Sequence, residues 1–421
     1  MTEAHLFETC KPVSSLPYKL VTPSNLKGSF KTFERCDPFA PNTPDTLNTL
    51  PPSTPDCIRR LSDEERKRLL AKVPSWAANE DIVCPTRLAW EQCSGEAAAR
   101  HKADVVTRLL PPVKRGRMVD LTGGLGVDFS FLAPLFREAV YVERQAVLCD
   151  AARHNFPLQG LTHAEVVCGT AEDFLNRMPL ADFIFLDPAR RDKAGRKTVL
   201  IQDCTPDVEA LLPRLLEKAP LVMVKLSPML DIRHAVKSLQ GHVYEVEVVE
   251  TAGECKELLL VLRADGTVDE PKTTVVRGCP VLSFFASEER NAAVSFCEHP
   301  APGDYLFEPC AALLKAGAFR LVAERFGLKK VAADSHLYIG MESFPSFPGR
   351  SFRIREVTGF DKTALRRLRQ TTERANLTLR NFPGTTEALR KKLKLKDGGD
   401  TYLFATTLQD GKHVLLVTQK T

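Results

Sequence analysis

Between Gly116 and Leu262 short apolar runs alternate with stretches of helical spacing, and this alternation restricts the fold more than any other feature of the chain. The runs Met118–Leu121, Ala139–Val142, Glu165–Cys168, Phe183–Leu186 and Leu221–Lys225 are separated by segments of crossover length. That spacing predicts an α/β fold, a parallel sheet with helices on both faces. Two further runs, Val243–Val249 and Glu257–Leu262, are joined by Glu250-Thr251-Ala252-Gly253. The join is too short for a helix, so an antiparallel hairpin is predicted at the end of the sheet. Thr205-Pro206 and Ser227-Pro228 read as helix starts, a capping hydroxyl before proline at the first helical position.

The flanks differ in character. Residues 1–58 carry nine prolines among polar residues and no periodicity, which predicts an extended or disordered lead. In the following stretch, 59–115, Ser62 and Glu65 form a capping-box pattern, and Ser94 is a candidate cap for a helix beginning at Gly95-Glu96. Beyond Asp265-Gly266, Val281 to Tyr338 reads as a small mixed α/β unit whose best helix is Cys310 to Phe326, and Phe344-Pro345-Ser346-Phe347-Pro348-Gly349-Arg350 marks a boundary. From Arg350 to the end there are 16 Lys and Arg against 7 Asp and Glu, a net of +9 in a chain whose total is +5.

At 43% apolar residues the 421-residue chain can bury more than one core. No signal-peptide pattern stands in Met1 to Leu20, and no apolar run is long enough to span a bilayer, so no membrane association is expected. The twelve cysteines are scattered, without a C-x-x-C pair or a His/Cys cluster at zinc spacing. Reduced thiols in a cytoplasmic protein and no metal site are the expectation.

The first apolar run leads into Asp120-Leu121-Thr122-Gly123-Gly124-Leu125-Gly126-Val127-Asp128, a glycine turn before a helical stretch. A triphosphate loop would need Gly-Lys-Ser/Thr, and the dinucleotide fingerprint would need glycine where Phe129 stands, so both fail. An acidic residue followed by closely spaced glycines fits a turn that holds S-adenosylmethionine (SAM), with Asp120, Gly123, Gly124 and Gly126 satisfying it. The second run ends in Glu143, where a doubly wound sheet sets a carboxylate beside the glycine turn, suited to two ribose hydroxyls. Dinucleotide enzymes share that geometry, so Glu143 predicts a ribose without choosing the cofactor. Cys168-Gly169-Thr170-Ala171-Glu172-Asp173 ends the third run, where an adenine is expected. The fourth run ends in Asp187-Pro188-Ala189-Arg190-Arg191, in the crevice where open α/β sheets bind ligands.

Several stretches together resemble a bacterial family of class I SAM-dependent methyltransferases. They are Pro74-Ser75-Trp76-Ala77-Ala78, Trp90-Glu91-Gln92-Cys93-Ser94, the glycine turn, Asp187-Pro188-Ala189-Arg190-Arg191, Lys225-Leu226-Ser227-Pro228-Met229-Leu230-Asp231-Ile232 and Glu254-Cys255-Lys256-Glu257-Leu258-Leu259. In that family a ferredoxin-like unit precedes a THUMP-like domain, which matches Tyr305 to Tyr338, then Phe347-Pro348-Gly349-Arg350, Arg380-Asn381-Phe382-Pro383 and Lys396-Asp397-Gly398-Gly399-Asp400. The resemblance runs from about residue 74 to the end. It implies a Rossmann-like seven-stranded sheet with an N-terminal helical region and small C-terminal α+β domains, SAM as donor and RNA as acceptor. The expected domains are 59–115 helical, 116–270 methyltransferase, 280–343 ferredoxin-like and 344–421 THUMP-like and basic. The lead 1–58 departs from the family, and Thr170 stands where an adenine-contacting acid is common, leaving its hydroxyl or Glu172 to substitute.

The expected cofactor contacts are Gln92, Asp120, Thr122, Gly123, Gly124, Gly126, Asp128, Glu143, Arg144, Thr170, Ala171, Glu172 and Asp187. For catalysis the candidates are Asp187, the Pro188 carbonyl, Arg190 and Lys225. Amino-methyltransferases carry an aromatic at the fourth position of this loop to stack on the base; Arg190 occupies it here and can stack on a base or grip a phosphate. Lys225, ending the fifth run, is placed to orient substrate. Cys255 invites a covalent mechanism, but a lone cysteine is more often a small buried hydrophobe. The cations between leucines in Leu365–Arg369 and Leu389–Lys396 predict a polyanion-binding surface, with structured RNA as the expected partner. Two other readings remain open: a protein or small-molecule acceptor, or an RNA-binding scaffold without catalysis.

Overall fold

Five strands run parallel in the larger sheet: β1 Arg117–Asp120, β2 Glu138–Glu143, β3 Ala164–Cys168, β4 Phe183–Leu186 and β5 Leu221–Leu226. The computed structural model describes residues 61–190 and 200–421, all within the compact unit Thr54–Thr421. The expected lead 1–58 lies outside the described residues, as does Arg191.

Next come β6 Val243–Thr251, β7 Glu254–Arg263, β8 Lys272–Arg277 and β9 Cys279–Phe284, giving nine strands in the order 9-8-6-7-5-4-1-2-3. β7 inserts antiparallel between β5 and β6, the hairpin expected from its short join. That hairpin does not end the sheet, because β8 pairs parallel with β6 and β9 closes the edge antiparallel to β8. The sheet therefore continues past residue 270, to Phe284. Pro280 lies on this edge strand, the place in a sheet where proline is tolerated, opposite an irregularity at Val275/Val276.

Strands β1, β2, β4 and β5 read as nearly continuous apolar runs because helices cover both faces of the sheet, whereas the edge strand β3 is only partly buried. On one face Phe129, Phe136, Tyr141, Phe156 and Phe183 pack together; on the other Val119, Val140, Ile184, Val222 and Leu260 do. Helix Glu96–Leu109 docks by an apolar stripe, Ala98, Val105 and Val106, and by an ion pair from Arg108 to Glu245 on β6. Helix Asp63–Lys72 starts at the expected capping box, Ser62 with Glu65. The two proline-flanked starts are corrected: the helices begin at Val208 and Ile232, capped by Asp207 and Asp231. Thr205 instead pairs with Ala189 in a two-residue ladder, and Ser227 sits in a turn. Ser94 is not a cap either, since Gly95 holds that position.

The smaller sheet has seven strands: β10 Tyr305–Pro309, β11 Lys329–Lys330, β12 Tyr338–Gly340, β13 Gly349–Thr358, β14 Asn376–Arg380, β15 Thr401–Thr407 and β16 His413–Lys420. Their order is 11-12-10-13-16-15-14, so the segments before and after Gly349 share one sheet through the β10–β13 ladder. The expected single helix Cys310 to Phe326 is two, Ala311–Ala316 and Phe319–Arg325, broken where Gly317 turns left-handed at φ +77. The first packs on the larger sheet, its Ala312 N–H donating to Glu250 of β6 at 3.1 Å.

Candidate functional site: a cavity at the carboxyl ends of the central strands

The strand order reverses between β1 and β4, and there, beyond the strand ends, a cavity of about 740 Å³ opens. Its floor is the glycine turn. Asp120 ends β1 and accepts the Thr122 N–H at 3.0 Å, while Gly123 lies flat on the ring of Tyr141 from β2. A Cβ at Gly123 would sit 2.1 Å from that ring, so only glycine fits. The Tyr141 hydroxyl donates to the Gly124 carbonyl. Gly126, at φ +88, turns the chain into helix Val127–Leu132, and a Cβ there would meet Phe156 at 2.8 Å. Glu143 ends β2 and ties the two strand ends together, one carboxylate oxygen accepting the Gly124 N–H at 3.0 Å and the other the Gln145 N–H at 2.8 Å. Each oxygen keeps a second lone pair for a ligand.

Across the turn the side walls are charged. Asp187 follows β4, its N–H held by the Thr122 hydroxyl, and its carboxylate receives the ammonium of Lys225 from β5. Burial works against a charged Lys225, yet Asp187, Asp128 and Glu257 together raise its pKa above the usual lysine range, so it stays an ammonium. Burial, reinforced by Asp128, Asp187 and Glu143, pushes the Asp120 carboxyl well above the usual carboxylate range. Asp128 goes the other way: burial opposes its charge, but Lys102 and Lys225 hold it below that range.

The structure brings together around this cavity Gln92, Asp120, Thr122, Gly123, Gly124, Gly126, Asp128, Glu143, Arg144, Ala171, Glu172, Asp187, Pro188 and Lys225. Thr170 is the exception and a correction. Its hydroxyl accepts the Asp173 N–H at 3.1 Å and donates to the Asp173 carboxylate at 2.8 Å, capping helix Ala171–Arg177 instead of facing the cavity. The Arg190 backbone pairs with Cys204, and its side chain lies outside the described residues. Cys255 does not line the cavity, and burial pushes its thiol up to about 11, far from a thiolate.

Sequence reasoning missed Lys102, Glu257 and the partnership of Ser94. Lys102 is fully buried, with its Nζ 2.6 Å from Glu257 and 3.0 Å from Asp128. A signal was present: Lys102 falls on the helical stripe Ala98, Ala99, Val105, Val106, where a solvated lysine has no place. Thr86, Leu88 and Ala89 of the N-terminal helical region also line the cavity. Among the described residues no group of His, Cys, Asp and Glu could hold a metal ion, and no helix is long and apolar enough to cross a membrane.

A sheet ordered 3-2-1-4-5-7-6 over its first seven strands, with a glycine turn after β1 and an acid ending β2, defines a class I SAM-dependent methyltransferase fold. Residues 305–348 match a ferredoxin-like domain family and residues 349–420 a THUMP domain-like family. A crystal structure from Porphyromonas gingivalis W83, assigned as a methyltransferase, is 36% identical over 85% of this chain and 88% of its own, with a TM-score of 0.74. The chain belongs to this methyltransferase family, the one with ferredoxin-like and THUMP-like C-terminal domains. A protein-L-isoaspartate O-methyltransferase from Nitrobacter winogradskyi is 27% identical over 200 residues, 45% of this chain and 91% of its own. A Streptococcus mutans structure with SAH, also assigned as a methyltransferase, is 12% identical over 39% of this chain and 95% of its own, with a TM-score of 0.30.

Proposed function

We propose that this methyltransferase binds SAM in the cavity at the glycine turn and methylates RNA, in the cytoplasm. The observation that carries the donor reading is the convergence of Gly124, Glu143 and Asp187 on one cavity from positions far apart in the chain. Its volume suits a nucleoside-sized ligand. Gly124 and Gly169 leave open space toward it, since a Cβ at the first would meet only the Thr122 carbonyl, at 3.8 Å, and one at the second nothing within 4 Å. The free lone pairs of Glu143 suit two vicinal ribose hydroxyls, Ala171 and Glu172 border an adenine, and Asp120, Asp128 and Gln92 serve the methionine end. When bound, the sulfonium supplies an electrophilic methyl group for in-line displacement.

The chain's own work is then positioning. Asp187 and the Pro188 carbonyl hold the acceptor, and Lys225 fixes Asp187. Because Asp187 is already committed to an ammonium, it orients an incoming group better than it removes a proton. Arg190 is assigned to the acceptor side as well. The domains are proposed as a helical region, a methyltransferase unit whose sheet runs on to Phe284, a ferredoxin-like unit and a THUMP-like unit.

The RNA reading rests on the THUMP-like segment and its cations. In helix Thr386–Leu393 and just beyond it, Leu389, Leu393 and Leu395 are buried while Lys391, Lys392 and Lys394 are exposed, so the charge faces solvent. A protein acceptor is the second reading, favoured by the likeness to the isoaspartate enzyme. Incubation with labelled SAM and cellular RNA or protein fractions separates the two: label in RNA supports the first, label in protein alone overturns it. Nucleoside mass spectrometry of RNA from cells with and without the gene then names the modified base.

A further inference from the structure

The most deeply buried charge in the described structure stands behind the cavity, in the N-terminal helical region. Lys102 has no exposed surface, and its Nζ reaches Glu257 at 2.6 Å, Asp128 at 3.0 Å and the Ser94 hydroxyl at 3.3 Å. Ser94 in turn donates to the other Asp128 oxygen at 2.6 Å. Packing alone does not ask for a lysine there: a methionine would fill the same helical stripe without desolvating an ammonium. Asp128 itself is only 8% exposed, and that exposure faces the cavity it lines. Every element around it bears on its charge. Lys102 comes from the helix, Cys93 and Ser94 from the segment before it, Asp120 from β1, and Lys225 at 4.0 Å from β5, already bonded to Asp187; Glu257 of β7 backs Lys102. Lys102 is the one cation within 3.0 Å of the Asp128 carboxylate among the described residues.

Resting on the reading of this cavity as the donor site, we propose that Lys102 is a positioning residue: it keeps Asp128 ionised and aimed into the cavity, where the carboxylate receives the cationic amino end of the donor. The N-terminal helical region thereby becomes part of the donor site, not a cover beside it. Glu257 shares the single ammonium of Lys102 with Asp128 and does not line the cavity.

Calorimetric SAM affinity as a function of pH tests this in the full chain, comparing wild type with Lys102→Met, Glu257→Gln and the double variant K102M/E257Q. Without Lys102, burial lifts the Asp128 carboxyl, so protonation removes the donor's partner. The ratio of wild-type to K102M affinity is expected to grow about tenfold for each pH unit below the raised Asp128 value. Glu257→Gln keeps the Lys102–Asp128 contact, and its ratio to wild type should stay constant with pH. If K102M alone fails to fold, the double variant, which also removes the Glu257 carboxylate and leaves Asp128 as the acid beside the missing ammonium, carries the same pH signature. A structural role only would lower the melting temperature and leave the ratio flat, which overturns the proposal while leaving the donor site intact. Absence of SAM binding in wild type would remove the donor site and this role with it.

Discussion

Both sheets hold buried carboxylates paired to arginines, but only the larger one also gathers buried charge at a cavity. In the larger one Lys102, Asp120, Asp128, Glu143 and Glu257 are all buried, and they come together from segments as much as 155 residues apart. In the smaller one a single buried carboxylate, Glu308 of β10, accepts Arg350 of β13 at 2.8 Å and Arg380 of β14 at 2.7 Å. Both guanidiniums remain partly open to solvent, and the helix lysines beyond them are exposed. Buried charge that lines a cavity marks chemistry, because burial shifts protonation and fixes direction. Buried charge that staples strands, with the lysines Lys391, Lys392 and Lys394 outside, builds a rigid platform and a positive field. Glu308 joins the segments on either side of Gly349, and gives the arginines of Phe347-Pro348-Gly349-Arg350 and Arg380-Asn381-Phe382-Pro383, far apart in the chain, one shared partner.

The largest effect separates the two regions outright. Glu143→Ala should weaken SAM binding at least about a hundredfold, because two charge-assisted hydrogen bonds of about 1.5–3 kcal/mol each are lost. Calorimetry reads this directly, and a variant within about threefold of wild type would break the assignment of chemistry to the larger sheet. Next in size is the effect of charge on the smaller one. If the lysine face holds structured RNA through about four phosphates, affinity should fall with salt at a log–log slope near −3 to −4. The triple change K391Q/K392Q/K394Q should make that slope shallower by up to about 3 and leave SAM affinity alone. A salt-independent interaction, or a triple variant with an unaltered slope, would detach RNA from this surface.

How much of this was readable in advance follows the same division. The central strands and the β6–β7 hairpin were legible because a sheet covered on both faces leaves apolar runs that need no tertiary information. Glu143 and Asp187 were legible for a topological reason, since strand ends at the order reversal must share a rim. Other features depended on competition among neighbours. Thr205 and Ser227 look like caps until Asp207 and Asp231, each just ahead of a helix, take the exposed N–H groups instead. Thr170 resembled an adenine contact, but its hydroxyl satisfies its own helix. The β8–β9 hairpin turns at Gly278, at φ +76, after the composition has already shifted, so its partnership with β6 left no local trace. Lys102 could not be assigned to Glu257 and Asp128 without coordinates, although its place on an apolar stripe was visible.

Stability sharpens the contrast further. Glu308→Ala leaves two arginines facing a vacated site, and with their partial solvent exposure the expected loss is about 2 kcal/mol in denaturant unfolding. SAM affinity should not change, because Glu308 lies in the other sheet and does not line the cavity. A loss of donor binding equal to that of Glu143→Ala would show that the sheets are energetically one unit and would dissolve the distinction.

The smallest expected effect concerns pH and again belongs to the smaller sheet's surroundings. His336 stacks on Phe319 with ring centroids 3.6 Å apart. Burial, helped by the charges of Lys330 and Arg380, pulls its pKa down from 6.5 to about 4. The unfolded chain therefore binds a proton that the folded chain refuses across that interval. His336 thus withdraws stability as pH falls from about 6.5 toward about 4 and costs nothing above it. Half-exposure discounts the effect to at most about 2 kcal/mol. Measured as the difference in unfolding free energy between wild type and His336→Gln, it should appear only on the acid side. A difference that is flat with pH, or one that grows toward neutrality, would show that the imidazole is solvated, and would remove His336 from the packed platform beside Arg380.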